Sequence, residues 1–287
     1  MNTTTKLVSY GAVVAAVFGS ALAVGAVAGP VDVGTKSHDE AVPGVHAGGT
    51  SHISNVTPRQ GVSIAAAGFR LEPLTAEVPA NRVATFRFRI VDDDGNAVRE
   101  FEVNHERELH LIAVSRNLID YAHVHPVRDG LGVWSVDLPA LPSGSCRVLA
   151  DFRVAGADAV TLGADLAVEG ASVSAPLPKP APSTRVGEYE VEINGVPRIG
   201  ASDLSFEIRR NGEHIVTEPY LGAAAHLVGI RAGDMAYLHV HSIGDGRDDD
   251  AIHLTADIPS AGSYRLFLDF SHEGVVRTAA FTVAVGD

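Results

Sequence analysis

The sequence predicts an all-β chain in which two tandem antiparallel β-sandwich domains follow an N-terminal membrane helix. Short apolar runs separated by Gly, Pro and Asp turns continue from residue 62 to the C-terminus, and such runs are typical of sandwich strands. The same succession of strands and turns occurs twice, which indicates duplication of one β domain. We expect the first domain at residues 62–170 and the second at residues 186–287.

Matched segments carry the evidence for duplication. Ser145–Phe152 reads SCRVLADF and Ser263–Phe270 reads SYRLFLDF, while Thr161–Val168 matches Thr278–Val285. Between the halves, residues 171–185 are rich in proline, and this composition predicts a semi-rigid linker. The agreement extends over nearly the whole of each half, so both domains are expected to share one topology.

The N-terminal segment predicts a membrane anchor. Residues 7–29 carry no charge and follow Lys6, and a run of this length can span a bilayer. It is longer than the apolar region of a usual signal peptide, although Ala26-Val27-Ala28 also reads as a cleavage site. We therefore expect residues 1–29 to be a single-pass anchor, with a secreted protein as the alternative. Residues 30–61 predict a flexible linker, and the rest of the chain is expected outside the cytoplasm.

Composition excludes several classes of function. The chain carries 22 Lys and Arg against 35 Asp and Glu, a net charge of −13, and it has no basic stripe, which argues against nucleic-acid binding. Cys146 is its one cysteine, so an intrachain disulfide and a cysteine-based zinc site are excluded. Met235 is the one internal methionine, which argues against a blue-copper centre or a thioether Cu(I) site.

A histidine pattern occurs twice at identical spacing, once in each half. In each copy a histidine is followed by two more, thirteen and fifteen residues later. Imidazole suits Cu(II) and Zn(II), and two histidines at i and i+2 on a strand point to one face. The pattern predicts two three-histidine metal sites that release metal as pH falls below about 6, because free imidazole has a pKa of ~6.5 and protons compete with the metal for its lone pairs. The six predicted ligands are His110, His123, His125, His226, His239 and His241.

Two alternatives remain open beside metal binding. The histidines can instead be hydrogen-bonded core residues of a structural or protein-interaction module. A cupin-like metalloenzyme is the third hypothesis, because Gly233 to His241 fits the opening of the first cupin motif, although no clear second motif follows. The chain contains neither Gly-x-Ser-x-Gly nor His-Glu-x-x-His, so no catalytic or cofactor-binding residue is predicted. The unshared His105, His253 and His272 are candidate extra ligands, although a surface position explains each of them more readily, and the acidic loop 244–250 is expected to be solvated.

The stretch Leu109–Pro126 resembles the motif of extracytoplasmic YtkA-like and heavy-metal-binding β-sandwich proteins of actinobacterial type. Tyr220–Ala223 and Arg277–Val283 are similar to the same group, and the resemblance covers roughly residues 65–287. It implies an immunoglobulin-like or cupredoxin-like fold, an N-terminal anchor helix and a bound heavy metal. Together with the histidine pattern, it predicts a membrane-anchored extracytoplasmic protein that binds a divalent transition metal, copper or zinc, with the protein partner unspecified.

Overall fold

The computed structural model describes residues 60–172, 175–238, 240–248 and 251–286, all of which lie in strands, turns or loops. The all-β prediction is therefore confirmed for these residues. None of them belongs to a helix that could cross a membrane. The predicted anchor at residues 1–29 lies outside the described residues.

The first half is a sandwich of two five-stranded sheets. One sheet has the order β1-β2-β4-β8-β7 and the other β3-β10-β9-β5-β6. Every pairing is antiparallel except that of β3 with β10. The ten strands are β1 (Ala65–Ala66), β2 (Phe69–Pro73), β3 (Glu77–Val78), β4 (Ala84–Asp92), β5 (Leu109–Ser115), β6 (Tyr121–Val124), β7 (Val127–Arg128), β8 (Val133–Leu138), β9 (Gly144–Phe152) and β10 (Val160–Val168).

The second half repeats this arrangement. One sheet has the order β11-β12-β13-β18-β17, with β14 paired to β13, and the other has the order β16-β15-β19-β20. Its strands are β11 (Ser183–Val186), β12 (Tyr189–Asn194), β13 (Gly200–Arg210), β14 (Glu213–His214), β15 (His226–Arg231), β16 (Tyr237–Leu238), β17 (Val240–Asp248), β18 (Ala251–Ile258), β19 (Gly262–His272) and β20 (Val275–Val285).

The duplication is visible in the strand register. In the first half, β5 pairs with β9 so that His110 lies opposite Asp151. In the second half, β15 pairs with β19 so that His226 lies opposite Asp269. The matched sequence segments therefore occupy equivalent strands, and the prediction of two repeated β-sandwich domains is confirmed.

Each sandwich has its own apolar core. The first core contains Phe86, Phe88 and Trp134 with the inward residues of β9 and β10. The second contains Phe206 and Phe281 with the inward residues of β12, β15 and β19. These aromatic side chains are at most 2% exposed, and burying a side chain of this size stabilises a fold by about 1.5–3 kcal/mol. The alternation of inward apolar and outward polar residues, as in β4 and β12, follows from the two-residue period of a strand.

A third apolar cluster joins the two halves. All seven residues of β5 are buried, because its two faces pack against different neighbours. Leu109, Leu111 and Ala113 face the core of the first half, whereas Ile112 and Val114 belong to a cluster with residues of β15 and β19 from the second half. The histidine that begins this outward face, His110, is thereby directed toward the other sandwich.

Candidate metal centre

Three of the predicted histidines lie together at one end of the contact between the halves. His110 is on β5, His123 is on the neighbouring strand β6, and His125 directly follows that strand. One nitrogen from each ring lies within 4.8 Å of the others. Their assignment as ligands stays a prediction, but the structure brings the three predicted side chains into one group.

The spacing of the three rings fits a single ion. The ring centres of His110 and His123 are 5.2 Å apart, those of His110 and His125 5.1 Å, and those of His123 and His125 4.9 Å. Imidazoles arranged tetrahedrally around an ion at about 2.0–2.1 Å hold their ring centres roughly 5 Å apart. The group therefore matches the size of a first-row transition-metal site.

Hydrogen bonds fix the tautomers of two rings. His110 Nε2–H donates to the carbonyl oxygen of Asn104 at 3.0 Å, and His123 Nδ1–H donates to Oδ2 of Asp269 at 3.0 Å. Because both partners can only accept, the hydrogens of the neutral rings must lie on these nitrogens. The remaining nitrogens, His110 Nδ1 and His123 Nε2, lie 3.0 Å apart and each carries a lone pair. Two facing lone pairs repel, so the geometry requires a positive charge there, either a proton or a metal ion.

His125 adds a third nitrogen to this position. Its Nε2 atom is buried and makes no hydrogen bond within the part of the chain that the structure describes. A buried polar atom left without a partner costs about 1–3 kcal/mol. Coordination of an ion by this nitrogen would remove that cost, and metal-bound histidines commonly have their second nitrogen bonded to a carbonyl or a carboxylate, as His110 and His123 have here.

Burial favours the neutral form of His110 and of His125. Desolvation lowers the pKa of His110 to about 3, although its hydrogen bond to Asn104 opposes the shift. Desolvation, with the neighbouring His123, lowers the pKa of His125 to about 4. Neutral rings offer lone pairs to a metal. Protons therefore compete with a metal ion less well than the ordinary pKa of imidazole implies. The sequence predicts release of the metal below about pH 6, and the lowered pKa values move the expected release to more acidic pH.

The second half supplies a carboxylate that the sequence did not single out. Asp269, on β19, is 2% exposed. It accepts hydrogen bonds from His123 Nδ1–H and from the Tyr121 hydroxyl, each at 3.0 Å, and from Thr278 Oγ1 at 2.5 Å. The signal for this residue was present in the matched segments, because Asp151 occupies the equivalent position in SCRVLADF.

Two equivalent turns orient the first histidine of each copy. In Asn104–Arg107 and in Tyr220–Ala223, the outer residues exchange backbone hydrogen bonds and the two inner residues have positive φ. This is the geometry of a two-residue type I′ turn, which Asn-Gly usually forms. In the first turn the inner residues are instead His105 (φ 46°) and a glutamate (φ 62°). The opening carbonyl of each turn accepts the Nε2–H of His110 or of His226.

His226, from the second half, lies beside the first group. Its ring centre is 6.3 Å from that of His110, 6.2 Å from that of His123 and 4.8 Å from that of His105. Desolvation, with the neighbouring His105, lowers the pKa of His226 to about 4. Five imidazoles therefore gather where the halves meet, including the unshared His105.

The second predicted site is only partly described. His239 lies outside the described residues, and His241 is described only through its backbone, which pairs with Thr255 in β17 and β18. The assignment of His239 and His241 as ligands, and the solvation of the acidic loop 244–250, remain predictions from the sequence.

A cavity of about 170 Å³ lies between the halves next to the histidine group. Its polar lining comes from both sandwiches and includes His105, His110, His123, Asp151 and His226. Burial raises the pKa of Asp151 to about 6, and its hydrogen bond with Thr161 opposes the shift. A polar cavity between the two repeated sandwiches therefore adjoins the histidine group.

Comparison with known families places the repeat independently. The model of a family described as "Domain of unknown function (DUF8832)" matches residues 65–169 and again residues 184–287. No curated protein matches the chain. The YtkA-like assignment is not confirmed by these comparisons.

Solved structures similar to this chain include adhesin and immunoglobulin-like modules. The Escherichia coli adhesin FdeC is 16% identical over 78% of this chain and 66% of its own, with a TM-score of 0.25. A DUF4426 family protein of Pseudomonas aeruginosa PAO1 is 11% identical over 36% of this chain and 94% of its own, with a TM-score of 0.28. A chimeric titin Z1Z2 is 14% identical over 78% and 99%, with a TM-score of 0.23.

Proposed function

The chain belongs to the DUF8832 family, whose description names no activity, and we propose that it binds a divalent transition-metal ion, Cu(II) or Zn(II), through His110, His123 and His125. The observation that carries the proposal is the pair of lone-pair nitrogens, His110 Nδ1 and His123 Nε2, held 3.0 Å apart. A bound cation satisfies both nitrogens and the unpaired Nε2 of His125.

The donor set favours borderline metals. Three neutral imidazole nitrogens suit Cu(II) and Zn(II) better than they suit Ca²⁺ or Mg²⁺, which prefer oxygen ligands. The one thiol, Cys146, is 2% exposed and packs in the core of the first half, and burial raises its pKa to about 12, so it offers no thiolate. Three protein ligands leave a coordination position for an exogenous ligand, which suits a protein that buffers a metal or passes it on.

A structural role for the histidines is the second candidate. His110 and His123 each have one nitrogen paired within the protein, as polar residues of a structural or protein-interaction sandwich would. In that case a proton, shared between His110 Nδ1 and His123 Nε2, supplies the positive charge. The two candidates differ in one respect that can be measured, namely whether a metal ion displaces that proton.

Metal titration of the purified chain tests the proposal. We expect the protein to bind Zn²⁺ at pH 7 and to keep it at pH 5, because the lowered pKa values of His110 and His125 hold their rings neutral there. Without metal the stability should fall as pH decreases from about 6.5 toward 4, since the unfolded chain then takes up more protons than the folded one. Isothermal titration at both pH values measures the binding. Absence of zinc or copper binding at pH 7 would favour the structural candidate.

We further propose that the metal site lies outside the cytoplasm and is tethered by residues 1–29. The uncharged run of residues 7–29 supports this location. We expect the protein to fractionate with membranes and its first residue to be that of the full chain. N-terminal sequencing of the mature protein measures this, and a start at Gly29 or Pro30 would make the protein secreted instead.

A further inference from the structure

We propose that Asp269, a residue of the second half, sets the metal affinity of the histidine site in the first half, so that bound metal and the packing of the two halves stabilise each other. This inference rests on the proposed metal-binding function. It assigns to Asp269 the part of a positioning residue, which acts on the ion through His123.

The contacts of Asp269 cross the boundary between the halves. Its Oδ2 atom accepts hydrogen bonds from His123 Nδ1–H and from the Tyr121 hydroxyl, both on β6 of the first half. Its Oδ1 atom accepts from Thr278 on the neighbouring strand of its own half. The Tyr121 ring also stacks on Phe267, with centres 4.1 Å apart and planes within 7°. One carboxylate therefore both orients His123 and accepts two hydrogen bonds across the boundary between the halves.

Charge makes the coupling favourable. A carboxylate that is 2% exposed is stabilised when its partner carries positive charge. An ion bound at His123 Nε2 withdraws electrons from the ring, which strengthens the Nδ1–H bond to Asp269. The carboxylate in turn makes His123 a stronger ligand. This coupling is reciprocal. The free energy by which Asp269 strengthens metal binding is also the free energy by which bound metal stabilises the contact between the halves.

The first half provides a control carboxylate. Asp137, on β8, accepts a hydrogen bond from Thr85 Oγ1 at 2.6 Å, as Asp269 does from Thr278. The sheet that contains β8 carries no member of the three-histidine group. Neutralising Asp137 thus removes a hydrogen-bonded carboxylate of the same chain without altering the surroundings of His123.

The test compares Asp269→Asn with Asp137→Asn in the full chain. Asparagine keeps the shape and can still accept the Nδ1–H bond of His123, so the change removes mainly the negative charge. We expect Asp269→Asn to weaken Zn²⁺ binding by about 10–100-fold, the range seen when outer-shell partners are removed, and Asp137→Asn to change it by less than about threefold. Competition against a chelator measures the affinity, and the visible spectrum of bound Co²⁺ should shift in Asp269→Asn alone.

Hydrogen exchange supplies a second measurement that does not depend on the variants. Zn²⁺ should slow amide exchange in β15 and β19 of the wild-type second half, although the ligands belong to the first half. If wild-type protein binds Zn²⁺ while exchange in β15 and β19 stays unchanged, or while Asp269→Asn binds as tightly as wild type, the coupling is overturned and the three-histidine site still stands. If wild-type protein binds neither zinc nor copper, the proposed function fails and this inference fails with it.

Discussion

Replacing His123 and His125 together by alanine is expected to weaken Zn²⁺ and Cu²⁺ binding by more than about 100-fold, since the loss of an outer-shell partner alone costs about 10–100-fold. The change removes two of the three nitrogens that lie within 4.8 Å of one another. It leaves His110 and the apolar contact between the halves in place. Isothermal titration measures the loss, and circular dichroism should show an unchanged β spectrum.

His214→Ala is the control for this variant. His214 is an exposed histidine on the short strand β14, which pairs with β13 in a sheet that contains neither β5 nor β6, so its removal should leave metal affinity within about twofold. A His123→Ala/His125→Ala protein that binds zinc as tightly as wild type would move the site elsewhere on the chain. The acidic loop 244–250 would then be the next region to test, because carboxylates can bind cations without histidine.

Phe267→Ala is expected to lower the free energy of unfolding by about 3–5 kcal/mol, the usual cost of deleting a buried aromatic ring. Phe267 is 1% exposed and stacks on Tyr121 of the other half. Its loss leaves a space between the sandwiches, where Ile112 and Val228 also pack. Chemical denaturation followed by fluorescence of Trp134 and by circular dichroism measures the change.

A surface substitution on the neighbouring strand calibrates this effect. Val276, on β20, is 44% exposed, so Val276→Ala should change the free energy of unfolding by less than about 0.5 kcal/mol. A Phe267→Ala protein as stable as the Val276→Ala protein would mean that the apolar cluster between the halves contributes little. The packing account of the interface would then be wrong.

Local sequence patterns were sufficient for the fold class. Alternating runs such as that of β4, Ala84–Asp92, repeat every two residues, and the strand geometry itself has that period. The repeat of SCRVLADF as SYRLFLDF indicated equivalent strands, because similar segments bury similar faces. His123 and His125 could be assigned to one group from their spacing alone, since alternate residues of an extended chain share a face.

Contacts between distant residues could not be read from these patterns. The apolar run of β5 is compatible with burial on one face or on both, and only the packing of the second sandwich on Ile112 and Val114 shows that both faces are covered. The position of His105 beside His226 depends on a turn in one half reaching the other. Neither feature has a periodic signature, because each depends on where a second domain lies.

By itself, the sequence determined that this protein consists of two repeated β-sandwiches, and it offered six histidines as metal ligands, namely His110, His123, His125, His226, His239 and His241. The tertiary structure decided that the first three of these histidines meet where the two sandwiches pack, and that Asp269 of the second half is the partner of His123. The reason is physical. The local sequence determines only how residues a few positions apart are placed relative to one another. A metal centre needs side chains from strands that are more than a hundred positions apart in the sequence and that packing and charge bring together.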